Sequence, residues 1–350
     1  MSFFSSSSSK GQSTQGSEVQ TSGEHSAVAG QAQSPLSKRR SFRWLVRVVG
    51  LVVGLILAGT IYESVSEAAD IQAYPPLGQM VDVGGYRLHI NCLGTGSPTV
   101  IIDAGWGAWS LEWSGVQAEV AKTTQVCTYD RAGMGYSEAG PLPRSAEQIA
   151  TELHTLLERA NIAGPYVMVG HSLGGLGVRV FVHDYPAETV GVVLIESMSP
   201  GQREQPPSEI ESQTPAQSSG VSLPSLLARI GLVRVLAVQL ITQNLPPDAQ
   251  PAYTAFSVTP RSIQAWTDEG TAMQESLAQA DAVKSFGDLP LIVLTGGLNQ
   301  QTGWQAMQVE LLQLSSNSRQ IVVENSGHNI QIDQPEAAVA TITDMVSQLR

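Results

Sequence analysis

Cysteine is scarce in this chain, which has only Cys92 and Cys127 among its 350 residues. A structural zinc site usually takes cysteines in closely spaced pairs, and no Cys-x-x-Cys occurs. We therefore expect neither a metal nor a cofactor. The two thiols either pair in a disulfide or stay reduced in the core, and the compartment decides which.

Positive charge is also scarce, since 19 lysines and arginines stand against 31 acidic residues, for a formal net charge of -12. A nucleic acid partner requires a basic surface, so this class of function is excluded. The first 61 residues reverse the trend, with six basic and two acidic side chains. A basic end on an acidic body predicts contact with an anionic membrane surface at that end.

Apolar residues are few at the start of the chain, where Ser, Gln, Gly and Thr dominate and serine fills positions 5–9. Such a segment cannot bury enough apolar surface to offset the entropy lost on ordering. We therefore expect residues 1–40, which end in Lys38-Arg39-Arg40, to be a disordered tail.

Charge is missing from residues 48–62, within an apolar segment that we assign to 41–62. The uncharged run is shorter than the roughly 20 residues that cross a bilayer, but Arg47 can extend toward the headgroups, and Trp44 and Tyr62 suit the interface. A buried core helix is usually amphipathic, and a signal peptide has a shorter charged region, so both alternatives are less favoured. The segment predicts one transmembrane helix.

The charges on either side of this segment predict its orientation. Lysine and arginine precede it, whereas Glu63, Glu67 and Asp70 follow it. By the positive-inside rule, the tail lies in the cytoplasm and everything after Tyr62 lies outside. We expect a single-pass membrane protein with an extracytoplasmic C-terminal domain.

From residue 79 onward, short β-rich runs alternate with helical patterns, which is typical of a mostly parallel sheet covered by helices on both faces. The runs lie at 79–82, 87–92, 99–103, 125–129, 166–170, 190–195, 291–295 and 320–324. The clearest helical patterns lie at 145–161, 173–185 and 335–349. We expect a linker over 63–78, a core over 79–196 and 289–350, and an inserted lid over 197–288 with a helical middle at 224–241.

The segment Gly170-His171-Ser172-Leu173-Gly174 lies between a buried-type strand and a helical pattern. Gly-x-Ser-x-Gly in this context predicts a sharp strand-to-helix turn that presents the serine as a nucleophile, and the glycines avoid collisions there. The backbone N–H of Leu173, at the helix start, then lies near the developing oxyanion. The alternative is a turn with an ordinary serine.

A nucleophilic serine needs a base, and context removes most of the six histidines. His328 remains, because it lies in a loop directly after the last predicted strand, where sheet loops gather at one edge. The alternative is a surface histidine. The strand at 99–103 ends in Ala104-Gly105-Trp106-Gly107, where such folds supply a second oxyanion donor, so the backbone N–H of Trp106 is the candidate. Its indole is either a pocket wall or a core residue.

With these segments, residues 79–350 resemble the α/β-hydrolase superfamily. Asp130-Arg131-Ala132-Gly133-Met134-Gly135-Tyr136-Ser137 resembles the family's Asp-Arg-x-Gly-x-Gly-x-Ser loop, and the residues around His328 resemble its histidine loop and last helix. The resemblance implies an α/β fold with an eight-stranded, mostly parallel sheet and a helical lid. Many members have His-Gly at the oxyanion turn, whereas this chain has Ala104-Gly105, which puts the support of that loop in question.

The resemblance also bears on the acid and the cysteines. The family usually takes its acid from the loop after the seventh strand, which here is 296–301 and holds no carboxylate. Some members use the end of the sixth strand instead, where this chain has Glu196, so we assign the acid there, with Glu310 and Asp333 as alternatives. Cys92 and Cys127 fall on strands that neighbour each other in the family's sheet order, so we expect them to form a disulfide.

These residues together predict a membrane-anchored serine hydrolase that cleaves a carboxylic ester through an acyl-enzyme. A serine disfavours the epoxide and haloalkane branches of the family, which use a carboxylate; amides, thioesters and lactones stay open as substrates. The rival classes are a non-catalytic binding or sensor module and an acyltransferase. The partner is a small acyl compound of apolar character. The apolar segment 223–241 lines an acyl pocket, touches the bilayer or packs the lid onto the core, and we favour the last.

Overall fold

A computed structural model describes residues 35–204, 220–237, 245–299 and 303–350. The chain divides into two compact units, residues 1–52 and residues 53–350. Most of the predicted disordered tail lies outside the described residues. The second unit contains the sheet, its covering helices and an inserted cap.

The long helix α1 (Pro35–Ala73) extends beyond the predicted span of 41–62 at both ends. Within the described residues it is the one helix that is long and apolar enough to cross a membrane. The predicted linker is helical as far as Ala73, because the segment after Tyr62 is rich in Ala and Glu, which favour helix, and its first proline is Pro75.

All eight predicted runs form strands, each within two residues of its predicted ends, and this confirms the fold class. The strands are β1 (Gln79–Asp82), β2 (Arg87–Leu93), β3 (Thr99–Asp103), β4 (Val126–Tyr129), β5 (Tyr166–His171), β6 (Thr189–Ile195), β7 (Leu291–Gly296) and β8 (Ser318–Val323). They form one sheet in the order β1-β2-β4-β3-β5-β6-β7-β8. β2 pairs antiparallel with both β1 and β4, and all other neighbouring strands pair in parallel.

Helices cover both faces of the sheet, so its central strands are almost wholly buried and are rich in Val, Ile and Leu. The core helices are α2 (Ser114–Val120), α3 (Ala146–Arg159), α4 (Gly174–Asp184), α10 (Trp304–Glu310), α11 (Ile330–Asp333) and α12 (Pro335–Gln348). Alternate residues of a strand point to opposite faces. Ile101 accordingly packs in one apolar cluster with α3 and α4, whereas Val100 and Ile102 pack in another with α2 and α12.

The predicted disulfide is present and joins Cys92 to Cys127. The two residues lie directly opposite each other in the antiparallel β2–β4 pair. The disulfide therefore links β2, which pairs with β1 at one side of the sheet, to β4, the first of the parallel strands.

The cap lies between β6 and β7 and is mainly helical where it is described. Its helices are α5 (Leu223–Arg229), α6 (Leu232–Ala237), α7 (Gln250–Ser257), α8 (Pro260–Thr271) and α9 (Met273–Ala282). Within the helical middle predicted at 224–241, Gly231 adopts a left-handed backbone (φ +72°) and separates α5 from α6. Residues 238–241 lie outside the described residues.

Candidate active site

Ser172 lies between the end of β5 and the start of α4, in a left-handed backbone conformation (φ +50°) that is costly for a residue other than glycine. Its neighbours are glycines for steric reasons. A Cβ at Gly170 would lie 2.7 Å from the Cα of Gly175, and one at Gly174 would overlap the Asp103 carbonyl oxygen. The turn therefore has the strained form predicted for a nucleophile elbow.

The imidazole of His328 is hydrogen-bonded to the carboxylate of Glu196, with 3.2 Å between Nδ1 and Oε2. Glu196 follows β6 and is fully buried, whereas 39% of the His328 side chain is exposed. A buried carboxylate needs partners, and here it has three, because it also accepts the Gly296 N–H at 2.7 Å and the Asn299 amide at 2.7 Å. The loop after β7, where the family usually has its acid, therefore donates to the acid.

The two alternative acids lie elsewhere. Asp333 accepts the backbone N–H of Gly327 at 3.1 Å and the hydroxyl of Ser326 at 3.3 Å, so it holds the backbone of the histidine loop. Glu310 ends α10 and lies beside Gly201. Among the described residues, Glu196 is the one carboxylate that is hydrogen-bonded to the His328 imidazole.

His171 directly precedes Ser172 and supports the loop that carries His328. Burial, reinforced by the nearby His328, lowers the pKa of its imidazole to about 3, so the ring is neutral. In this state its Nε2–H donates to the carbonyl oxygen of His328 at 3.0 Å, and its Nδ1 faces the Gln331 amide at 3.4 Å. Sequence reasoning set His171 aside, although its position next to the nucleophile was a usable signal.

Arg131 holds the candidate oxyanion turn. Its guanidinium is buried and donates to the carbonyl oxygens of Ala104 and Gly105, at 2.6 Å each, and to the carboxylate of Asp103 at 2.8 Å. The Gly105 carbonyl and the Trp106 N–H belong to one planar peptide, so fixing the carbonyl on Arg131 directs the N–H to the opposite side. Arg131 thus gives the turn the support that the missing His-Gly left in question.

The two candidate oxyanion donors are available for a ligand. Among the described residues, no backbone carbonyl accepts the N–H of Trp106 or of Leu173. The turn also lies close to the nucleophile, because a Cβ at Gly105 would be 3.4 Å from the Cβ of Ser172. Donors aimed at the place where negative charge develops are the arrangement that acyl transfer requires.

The cap covers this turn through α8. Glu269 pairs with Arg131, with 2.6 Å between Oε1 and Nε, and both side chains are buried. The Trp106 indole N–H donates to the Trp266 carbonyl at 2.8 Å, and the two indoles stack with 5.1 Å between centroids. Sequence reasoning missed both cap partners, because they lie more than 130 positions away from the turn in the chain.

The far side of the histidine loop has its own buried support. Gln331 donates to the Glu112 carboxylate at 2.8 Å, and that carboxylate also accepts the hydroxyl of Tyr253, on α7, at 3.2 Å. Trp304 packs edge to face against His328, with 5.4 Å between ring centroids. The described residues contain no group of three His, Cys, Asp or Glu side chains arranged to hold a metal ion.

The amino-acid sequence is similar to those of several known proteins. YqjL of Bacillus subtilis is 25% identical over 72% of this chain and 85% of its own length. A vacuolar membrane protein of Saccharomyces cerevisiae is 32% identical over 130 residues, which are 32% of this chain and 20% of that protein. The protein efuK of Hormonema carpetanum, named as a transporter, is 36% identical over 126 residues, and the chain spans only 18% of its length.

Solved structures with different reactions share the fold. The epoxide hydrolase CorEH has a TM-score of 0.63 at 19% identity, covering 78% of this chain and 99% of its own. An esterase from Thermogutta terrifontis has a TM-score of 0.59 at 18% identity, covering 77% and 98%. The family described as alpha/beta hydrolase fold matches residues 98–335. The chain therefore belongs to the alpha/beta hydrolase family.

Proposed function

We propose that this protein is a membrane-anchored serine hydrolase that cleaves a carboxylic ester of a small, apolar acyl substrate. The observations that support the proposal are a strained turn at Ser172 and a hydrogen bond between His328 and Glu196, all after strands of one sheet. A strained elbow presents Ser172, a solvent-reaching His328 follows β8, and a buried Glu196 pairs with that histidine at 3.2 Å.

The chemistry follows from the roles of these groups. The Ser172 hydroxyl attacks the ester carbonyl carbon while His328 accepts its proton, and Glu196 stabilises the imidazolium that forms. The N–H groups of Trp106 and Leu173 hold the negative oxygen of the tetrahedral intermediate. Collapse expels the alcohol, which takes the proton from His328, and leaves an acyl-serine. Water, activated by the same histidine, then releases the acid.

A fluorophosphonate probe tests the nucleophile directly. We expect the purified full chain to be labelled at Ser172, and Ser172→Ala to abolish the labelling. Ser347→Ala, which changes an exposed hydroxyl on α12, is the matched control and should label normally. An unlabelled wild-type protein that is folded would contradict the proposal and favour a binding or sensor module.

Product analysis separates hydrolysis from transfer. With a series of esters of increasing acyl length, we expect the free acid as the product, also when an alcohol is present in excess. A predominant transesterified product would overturn hydrolysis in favour of an acyltransferase, since both reactions share the acyl-enzyme. Turnover of amides, thioesters or lactones above that of every ester would change the substrate class.

The membrane part of the proposal rests on α1 and on the charges that flank its apolar run. We propose that the tail is cytoplasmic and that the catalytic domain lies outside the cytoplasm. The vacuolar membrane assignment of one relative agrees with a membrane location. A reporter fused after Arg350 should be active only in the extracytoplasmic compartment; cytoplasmic reporter activity, or a full-length chain that is soluble without detergent, would contradict this orientation.

A further inference from the structure

The last turns of the apolar run touch the cap. A Cβ at Gly59 would overlap the carbonyl oxygen of Ile230, between α5 and α6, so the two backbones are in direct contact. A Cβ at Gly231 would lie 2.9 Å from Cδ1 of Tyr62. The α5–α6 turn therefore packs on α1 at Gly59 and Tyr62, at the end of the uncharged run.

This contact sets how close the cap comes to a bilayer. Glu63 follows directly after Tyr62 and marks the end of the apolar run. Gly59 lies three residues before Tyr62, which is about 4.5 Å along a helix axis. A cap segment in contact with Gly59 thus reaches below the level of the first charge, into the interfacial layer of any membrane that α1 crosses.

A buried ion cluster fixes the cap to α1 just beyond the end of the apolar run. Arg234, on α6, donates to both carboxylate oxygens of Glu63 at 2.9 Å and to the carboxylate of Asp70 at 2.7 Å. Glu63 is 3% exposed and Arg234 is 9% exposed. The two carboxylates lie two helical turns apart on α1, so α6 cannot swing away from it without leaving charges buried and unpaired.

The same two cap helices carry a set of exposed apolar side chains, which we call the docking face. Ser225 and Ala228 of α5 are buried against the cap, whereas the docking face is open to solvent. Its members, with their exposed fractions, are Leu223 (67%), Leu226 (47%), Leu232 (40%), Val235 (60%) and Leu236 (64%). An apolar cluster of this kind on a surface usually marks a membrane or protein contact. The expectation that this segment only packs the lid onto the core is therefore wrong for these five residues.

We propose that the docking face inserts into the interfacial layer of the bilayer that α1 spans. The inference rests on the proposed membrane span, and it adds a second, peripheral contact made by the cap. Continuity with the apolar end of α1 selects lipid as the occupant, since the α5–α6 turn is held against Gly59 and Tyr62. The exposed Arg229, the last residue of α5, suits lipid headgroups.

The docking face also lies one helix away from the candidate oxyanion turn. Ser225 of α5 donates to the Pro260 carbonyl of α8 at 2.9 Å, and the Ser222 N–H donates to the Gln264 side chain at 2.8 Å. That helix carries Glu269, which pairs with Arg131. The docking face is thus connected to the candidate oxyanion turn through one helix, α8.

Fluorescence quenching of the full chain in phosphatidylcholine vesicles tests the proposal without reference to catalysis. An environment-sensitive dye is attached to Leu226→Cys or to Leu236→Cys, since the native cysteines are paired, and doxyl-labelled lipids serve as quenchers. Leu55→Cys reports on the span itself. Lys122→Cys, an exposed site just before β4 at the opposite edge of the sheet, is the matched control for a domain position away from lipid.

We expect blue-shifted emission and quenching at positions 226 and 236. The quenching there should reach at least roughly half of that at position 55, as for side chains about 5–10 Å deep in the interface. Neither effect should occur at position 122. Quenching at 55 without quenching at 226 and 236 would overturn the docking proposal and leave the span intact. No quenching at 55 would overturn the span. A blue shift at 226 and 236 that doxyl lipids do not quench would show a protein partner on this face, which also overturns the proposal.

A second variant tests the ion cluster. In Arg234→Gln we expect quenching at position 236 to fall, while quenching at 55 stays unchanged. Arg229→Gln removes an exposed arginine of the same cap segment and is the control for lost charge. Unchanged quenching at 236 in Arg234→Gln would overturn the role of this cluster in setting the depth of the cap.

Discussion

The core supplies Ser172, His328 and Glu196 from the carboxyl ends of β5, β8 and β6, whereas the described part of the cap supplies contacts to the turn beside them. Glu269 reaches Arg131, and Trp266 stacks on Trp106. The difference teaches that the proposed reacting groups are recognisable from nearby sequence, whereas the residues that support them come from distant parts of the chain. A reacting group sits at a short motif next to a strand, and a support comes from a distant helix. Changes to the first should affect turnover alone, whereas changes to the second should affect turnover and stability together.

The largest expected effect is on the reacting groups of the core. Glu196→Gln should lower turnover on the order of 10⁴-fold with little loss of folding, because it removes the charge that orients His328 and stabilises its cationic form. Steady-state kinetics on an activated ester and thermal unfolding measure the two quantities. The Ser172→Ala variant and the double variant should be about equally impaired, since the residues act as a unit.

The control for the acid is Asp333→Asn. Asp333 binds the backbone of the histidine loop, so its amide variant should lose far less turnover than Glu196→Gln. Near-normal turnover in Glu196→Gln, with a large loss in Asp333→Asn or Glu310→Gln, would reassign the acid.

The next effect concerns Arg131, where the core meets the cap. Arg131→Lys keeps the charge but cannot hold two turn carbonyls and Glu269 at once, because it lacks the planar fork. We expect kcat for an oxygen ester to fall by about 10²–10³-fold, as for the loss of one oxyanion donor. Hydrolysis of the matching thionoester, whose sulfur accepts hydrogen bonds poorly, should fall much less.

Arg144→Lys is the matched control, since Arg144 is as deeply buried and pairs with Glu152 at 2.6 Å, away from the turn. It should lose stability to a similar degree and keep its kcat. Equal losses for the two esters in Arg131→Lys, or an equal loss of kcat in Arg144→Lys, would reduce Arg131 to a purely structural residue.

A third effect tests a part of the core far from the cap. Replacing Cys92 and Cys127 by alanine removes a cross-link between β2 and β4 and should lower the free energy of unfolding by about 2–4 kcal/mol. Turnover of the folded variant should stay near the wild-type value, because neither residue supports the site. Denaturant unfolding and kinetics measure the two. A loss of activity at temperatures where the variant is fully folded would show that the β2–β4 cross-link does influence the site.

The extent to which the sequence predicted these features follows the same division. Strand positions and the elbow follow from local patterns, in which apolar runs end at glycine-rich turns, and they need no knowledge of distant residues. Asn299 could be excluded as the acid from its chemistry, but its role as a donor to Glu196 depends on where two loops meet. The helical character of the middle of the lid also follows from a local pattern, whereas the break between α5 and α6 at the left-handed Gly231 was not predicted.

The last expected effect, which appears only on acidification, concerns His171, a support that lies inside the core. Its pKa in the folded protein is about 3, against 6.5 for an ordinary histidine, because burial disfavours the charged ring. Between these values the unfolded chain binds a proton that the folded chain does not, so stability rises with pH and is lost on acidification. The contribution is up to about 1.4 kcal/mol per pH unit in this window. Unfolding free energies measured from pH 7 down to pH 4 should therefore depend less steeply on pH in His171→Gln than in the wild type. His183→Gln, at an exposed histidine, should follow the wild-type curve; parallel curves for all three proteins would mean that the pKa of His171 is not lowered in the folded state.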